Sequence, residues 1–184
     1  MTRMKYRLFI LLLVSLLVPG LSHAETKRAI KLYPSEIIDT TGTIEFEEII
    51  SSQNSKFKSI EARARFVEKD KSLKMVFGFG GIDYHSQEDW RTFDKKKFSI
   101  PISIDRREAS AGNFTRGQVG LSFSHYLGIE KNVYERISIG AEARTFFIAG
   151  LVDYIKDTSK DTSVVQVDLE MFDSFKIYFK VLFD

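Results

Sequence analysis

The stretch 80–97 gathers more chemically capable side chains than any other part of the chain. It contains the only tryptophan and one of the three histidines. Its candidate ligand-binding residues are Asp83, His85, Glu88, Asp89, Trp90 and Arg91. An aromatic ring beside charged groups can stack on a sugar or anchor a peptide. The hydrophobic pattern is least regular here, which predicts a long loop, and binding residues are often carried by such loops.

Two other interpretations of this stretch stay open. In the one we favour, Trp90 plugs one end of the core while its charged neighbours are solvated. In the other, Asp83, Glu88 and Asp89 offer carboxylates to calcium, which takes six to eight oxygen ligands. No EF-hand spacing or Asp-x-Asp repeat is present. We therefore predict no metal and no cofactor.

Nucleophilic catalysis finds little support elsewhere in the chain. His125 follows Ser122 and Ser124, but on a strand both serines point to the face opposite His125. No Gly-x-Ser-x-Gly motif occurs, and the chain has no cysteine for thiol chemistry or metal ligation. We predict that the protein is not an enzyme. A hydrolase that uses Asp83 and Glu88 as paired carboxylates is kept as an alternative.

The elements that must position these residues are β-strands, because the dominant hydrophobic period is two. Apolar residues alternate with polar ones in seven stretches, which are 60–66, 73–79, 98–104, 119–123, 137–141, 165–171 and 175–183. This alternation is typical of antiparallel strands with one face on a core. It predicts an all-β fold, a single-domain antiparallel β-sandwich or closed up-and-down barrel of about 8–10 strands. It also places Phe179 in the core.

Two local features depart from the regular pattern. Residues 143–155 fit either a strand or a helix, and Gly150 favours a strand with a bend because glycine weakens a helix. Gly78, Gly80 and Gly81 lack the spacing of a phosphate-binding loop. Glycines within a strand more often mark a β-bulge, which we predict here, or the close approach of a neighbouring backbone.

Residues 1–24 have the order of a secretory signal peptide. A basic start is followed by a short apolar run and by small residues before Glu25. The run is too short to span a bilayer, which takes about 20 apolar residues. We predict cleavage after Ala24 and a single all-β domain over 25–184. The mature protein is then periplasmic or extracellular.

The charge of the mature chain limits its partners. Three of the 27 lysines and arginines, and none of the 25 aspartates and glutamates, lie in the leader, so the mature net charge is −1. A nearly neutral domain argues against nucleic acid as a partner. The first hypothesis is an exported, non-enzymatic domain that binds a small ligand or envelope protein. The alternative is a small outer-membrane β-barrel, whose strands also alternate apolar with polar residues and which alone would contact the membrane.

Overall fold

A computed structural model describes residues 27–33, 41–67, 70–87, 90–109, 112–156 and 161–183. The predicted leader and its cleavage site lie outside these residues. The strands within the described ranges are β1 (Arg28–Leu32), β2 (Thr41–Ile49), β3 (Asn54–Val67), β4 (Asp70–Gln87), β5 (Trp90–Ala109), β6 (Gly112–Tyr134), β7 (Ile137–Lys156), β8 (Asp161–Glu170) and β9 (Ser174–Phe183). All their pairings are antiparallel. The predicted all-β antiparallel fold is thus confirmed. No helix in these ranges is long and apolar enough to cross a membrane.

The sheet closes on itself as a barrel. Consecutive strands pair from β1 to β7, and β9 pairs with both β7 and β1, which completes a ring of eight strands. β8 lies against the same edge of β7 as β9, so β8 and β9 are two halves of one broken strand. The break falls at Phe172, whose φ is 52°. Opposite it, Thr145 is left without a partner in the β6–β7 register and accepts a hydrogen bond from the Phe172 N–H at 3.4 Å.

The polarity of the barrel is the reverse of that of a water-soluble core. Most large apolar side chains point outward, whereas many lysines, glutamates and tyrosines point inward. Phe179 is 43% exposed, and the neighbouring Lys180 is fully buried. The prediction that Phe179 lies in the core is therefore wrong. Period-two alternation separates the two faces of a strand but does not say which face is enclosed.

The loop predicted over 80–97 is instead a β-hairpin. β4 continues to Gln87, β5 begins at Trp90, and the two strands pair without a register shift. The prediction failed because the hydrophobic phase reverses within β4. Before the glycines most apolar side chains point outward, as Phe79 does, whereas after them Tyr84 points inward and is buried. Where the apolar residues of a strand change from one face to the other, the period-two alternation is interrupted. In the sequence, such a strand resembles an irregular segment.

Two further predictions concern the local structure of residues 143–155 and of Gly78–Gly81. Residues 143–155 belong to β7 and are strand throughout, but the irregularity lies at Thr145 rather than at Gly150. The β-bulge predicted at Gly78–Gly81 is wrong, because β4 keeps its register with both neighbours there. The close approach of another backbone does occur, since a Cβ on Gly80 would lie 1.8 Å from the carbonyl oxygen of Lys96.

Candidate functional site: the barrel interior and its outer wall

One end of the barrel, which we call the terminal end, is the end at which β1 begins and β9 ends. Ion-paired, inward-facing charges fill the barrel near this end, and we call them the lumen cluster. It consists of Lys31, Glu45, Glu47, Arg91, Lys95, Glu130, Glu142 and Lys180. Four basic and four acidic residues make its formal charge zero. All except Arg91 are buried. These residues alternate along their strands with outward-facing positions, so the pleat alone directs them to the interior.

One half of the lumen cluster is centred on Lys95 and Lys31. The Nζ of Lys95 lies 2.6 Å from Glu45 Oε2 and 3.0 Å from Glu142 Oε2. The Nζ of Lys31 lies 3.4 Å from a carboxylate oxygen of Glu45 and 3.4 Å from one of Glu47. Buried charges cost several kcal/mol each unless they are paired. Here each lysine lies between two carboxylates, which offsets that cost.

The other half is centred on Lys180, on the final strand. Its Nζ lies 3.0 Å from Glu47 Oε2 and 3.4 Å from Glu130 Oε1, and it donates a hydrogen bond of 3.0 Å to the Tyr84 hydroxyl. Arg91 donates a hydrogen bond to Glu130. Lys180 therefore connects the last strand to β2, β4 and β6 through buried polar contacts.

Aromatic rings occupy the space between these charges, and glycines make room for them. A buried cluster comprises Tyr33, Phe57, Ile82, Tyr84, Phe93 and Tyr178. Phe93 lies across from Gly128, where an added Cβ would come within 2.1 Å of the ring. Tyr178 lies across from Gly140, where the equivalent distance is 2.2 Å. Rings and charged groups together fill the lumen at this level, and all of them except Arg91 are buried.

The interior is more open toward the far end of the barrel, away from the termini. Arg116 and Gln118 both donate hydrogen bonds to Asp153, with a distance of 2.7 Å for Gln118. Arg144 pairs with Glu170 at 3.0 Å, and the side chain of Glu170 is half-exposed. Arg116 and Glu170 are partly exposed and line a cup that solvent reaches, whereas Asp153 is buried.

The outer wall carries a broad apolar band. On β6 its outward residues run from Val119 to Ile129, a length of 11 residues. A tilted strand needs about 9–11 residues to cross a bilayer. The exposed apolar members of β5, β6 and β7 in this band include Phe98, Ile100, Ile102, Ile104, Val119, Leu121, Leu127, Ile129, Ile139, Ile148 and Val152.

A polar cluster interrupts the band on one side. The carboxylate of Asp94 lies between two imidazoles, 3.0 Å from His85 Nε2 and 3.0 Å from His125 Nε2. The Nδ1 of His125 lies 2.7 Å from the Thr145 hydroxyl. Within the described ranges, no group of three or more His, Cys, Asp or Glu side chains is arranged to hold a metal ion.

The residues predicted as a ligand-binding site are divided between the two faces of the hairpin. Asp83 and His85 point outward, with an Asp83 oxygen 3.9 Å from the Lys96 Nζ. Trp90 is 47% exposed, and the Lys131 Nζ lies 5.1 Å from its ring centroid. The prediction that Trp90 plugs the core is therefore wrong.

The other members of the predicted site are placed differently. Arg91 points into the lumen, away from Trp90. Glu88 and Asp89 lie outside the described residues.

Sequence reasoning missed the lumen cluster. A usable signal is present in β2, where Glu45 and Glu47 alternate with Ile44 and Phe46. The same pattern fits a strand whose charged face lies in water, so it does not show that the charged face is enclosed by the barrel. The glycines opposite Phe93 and Tyr178 become informative only when the strand pairing is known.

No protein family matches the sequence, and no curated protein matches it. The fold is similar to a solved surface protein. The crystal structure of Neisserial surface protein A matches with a TM-score of 0.46 and 9% sequence identity, covering 85% of this chain and 93% of that chain.

Proposed function

We propose that this chain is an outer-membrane β-barrel protein with a closed lumen, and that it is not an enzyme. The observation that carries the proposal is the reversed polarity of the barrel. Removing a large apolar side chain from water contributes about 1.5–3 kcal/mol. A soluble domain would forgo this at every position of the outer band and expose an apolar patch prone to association. A bilayer is the environment in which this wall is stable.

The closed ring supports the same assignment. Lipid offers no hydrogen bonds to a backbone, so strands cross a membrane only as closed barrels. The eight-membered ring leaves each of its strands paired on both sides along at least part of its length. The connections at the terminal end take two to four residues, and the longest connection between the described strands, the eight residues from β1 to β2, lies at the far end. We place this end on the periplasmic side, where barrels of this class have their short turns.

The sealed lumen cluster distinguishes this protein from a diffusion pore. Eight strands enclose an interior that side chains can fill, whereas barrels of 16–18 strands leave a water channel. Here lysines, glutamates and aromatic rings occupy that interior. The protein therefore acts through its surfaces and its far-end cup rather than by passing solutes.

Cell fractionation tests this proposal. We expect the mature chain in the outer-membrane fraction, soluble only in detergent, with a gel mobility that changes when the sample is boiled. The matched control is a soluble periplasmic protein released by osmotic shock from the same cells. Recovery of the folded chain in that shock fluid without detergent would overturn the membrane assignment and restore the hypothesis of a soluble binding domain.

A further inference from the structure

A groove on the outer wall crosses β1 to β4 near the terminal end. Its volume is about 690 Å³. The outward-facing residues that define it form two adjacent rows across the strands. The first row is Ile30, Phe46, Lys58 and Phe79, and the second is Arg28, Glu48, Lys56 and Gly81. Phe183 extends the second row on β9.

The two rows differ in chemistry and in height along the barrel. The first row, which we call the apolar row although it contains Lys58, lies nearer the middle of the wall. The second, which we call the charged row, lies two residues nearer the terminal end on every strand. Gly81 contributes no side chain to the wall, which leaves a gap below Phe79. The groove therefore has an apolar upper part and a charged lower part.

The charges of the groove are not balanced. Arg28, Lys56 and Lys58 face a single carboxylate, Glu48, so the formal charge of the two rows is +2. Neither Lys56 nor Lys58 forms an ion pair with any of the described residues. Lys58 lies directly between Phe46 and Phe79 on the wall. A lysine on a lipid-facing surface is costly unless its ammonium reaches an anion or the interface.

We propose that this groove binds one anionic phospholipid, with an acyl chain along Phe46 and Phe79 and the phosphate at Lys56 and Lys58. The inference rests on the proposed membrane location. Two features favour an anionic phospholipid as the occupant. The groove has a net positive charge, and its charged row lies nearer the terminal end than its apolar row. A phospholipid in the periplasmic leaflet has its headgroup toward the terminal end and its chains toward the middle of the wall, in the same order as the groove.

Native mass spectrometry of the mature chain in a neutral detergent tests this site. The probe is dioleoyl phosphatidylglycerol, compared with dioleoyl phosphatidylcholine, which has the same chains and no net charge. We expect retention of phosphatidylglycerol over phosphatidylcholine. The double variant Lys56→Gln/Lys58→Gln should weaken phosphatidylglycerol binding about tenfold or more, because each basic residue near an anionic lipid contributes several-fold. The control Lys71→Gln/Lys74→Gln removes the same charge at the far end and should change nothing.

A second variant tests the apolar part without changing charge. Gly81→Leu should fill the groove and abolish retention of phosphatidylglycerol, and it should fold because a Cβ at Gly81 meets its nearest atom at 3.8 Å. Its matched control is Gly42→Leu, on the same outer wall, where a Cβ meets nothing within 4 Å. We expect the control to bind lipid as the parent does.

The outcomes separate this site from the membrane assignment. A heat-modifiable protein that retains both lipids equally, or whose binding survives Gly81→Leu, overturns the groove and leaves the barrel in the membrane. If equimolar inorganic phosphate displaces the phosphatidylglycerol, the proposal of a lipid occupant is overturned, because the apolar row would then contribute nothing to the affinity. A chain that is folded and stable in water without detergent overturns both proposals.

Discussion

Lys180 shows how much one buried charge depends on its surroundings. Its ammonium lies within 3.4 Å of two carboxylates and a tyrosine hydroxyl, and the side chain is essentially inaccessible to water. A buried ammonium stabilises the barrel only because the carboxylates of the neutral lumen cluster balance its charge. Removing it leaves Glu47 and Glu130 with one cation fewer in the interior.

Lys180→Met should therefore be strongly destabilising. Breaking a buried ion pair costs about 3–5 kcal/mol because it leaves an uncompensated charge. The measurement is guanidinium unfolding in micelles, followed by the fluorescence of Trp90. Lys74→Met, at an exposed lysine, is the control and should stay within about 0.5 kcal/mol of the parent. Equal losses for the two variants would show that the lumen cluster does not stabilise the barrel.

The glycines that face aromatic rings predict a second effect on single residues. Gly140→Ala places a methyl group 2.2 Å from the Tyr178 ring, so the ring must move. Overpacking of this kind costs about 1–3 kcal/mol. Gly150→Ala, on the same strand with open space around it, should be neutral or slightly stabilising, since alanine restricts the unfolded chain. The same unfolding assay compares them, and a neutral Gly140→Ala would contradict the packing described here.

Among the secondary-structure elements, the sequence predicts strands well and their orientation poorly. Ile100 and Ile102 alternate with Ser99 and Ser103, and that pattern alone indicates a strand. It is equally compatible with isoleucines in a core and with isoleucines in lipid, because both environments are apolar. The prediction for Trp90 fails for the same reason, since a large ring can be buried in a core or can lie at a membrane interface.

The orientation of β6 can be tested with a charge on its outer face. Leu121→Arg should cost about 2–4 kcal/mol in micelles or bilayers, as basic residues do on the lipid-facing side of a barrel near the midplane. Val133→Arg, at an exposed position near the terminal end, should cost about 1 kcal/mol or less. If Leu121→Arg is harmless, the outer face of β6 meets water and not lipid.

At the scale of the whole molecule, the closed ring and the filled lumen together determine whether water and ions can pass through the barrel. The neutral cluster and its aromatic neighbours belong to β1, β2, β3, β4, β5, β6, β7 and β9, so every strand of the ring contributes to the seal. No local sequence pattern could have predicted this, because the contacts form only when all eight strands are in register.

Electrical recordings provide the corresponding prediction. The purified protein in a planar bilayer should show no stable, ohmic conductance steps, because the lumen cluster leaves no continuous water path. A 16-stranded porin reconstituted in the same lipid is the positive control. Regular steps from this protein, at a size that scales with salt concentration, would contradict a sealed lumen.

The contact between Lys180 and Glu47 joins residues 133 positions apart, and this separation has a consequence for the order of assembly. Until the last strand arrives, Glu47 and Glu130 lack the cation that Lys180 supplies, and β1 has a free edge. Loop closure over such a distance is slow, and long-range strand pairing limits folding rates. Correct pairing of β9 is therefore needed before the lumen cluster becomes neutral, and until then its carboxylates remain costly to remove from water.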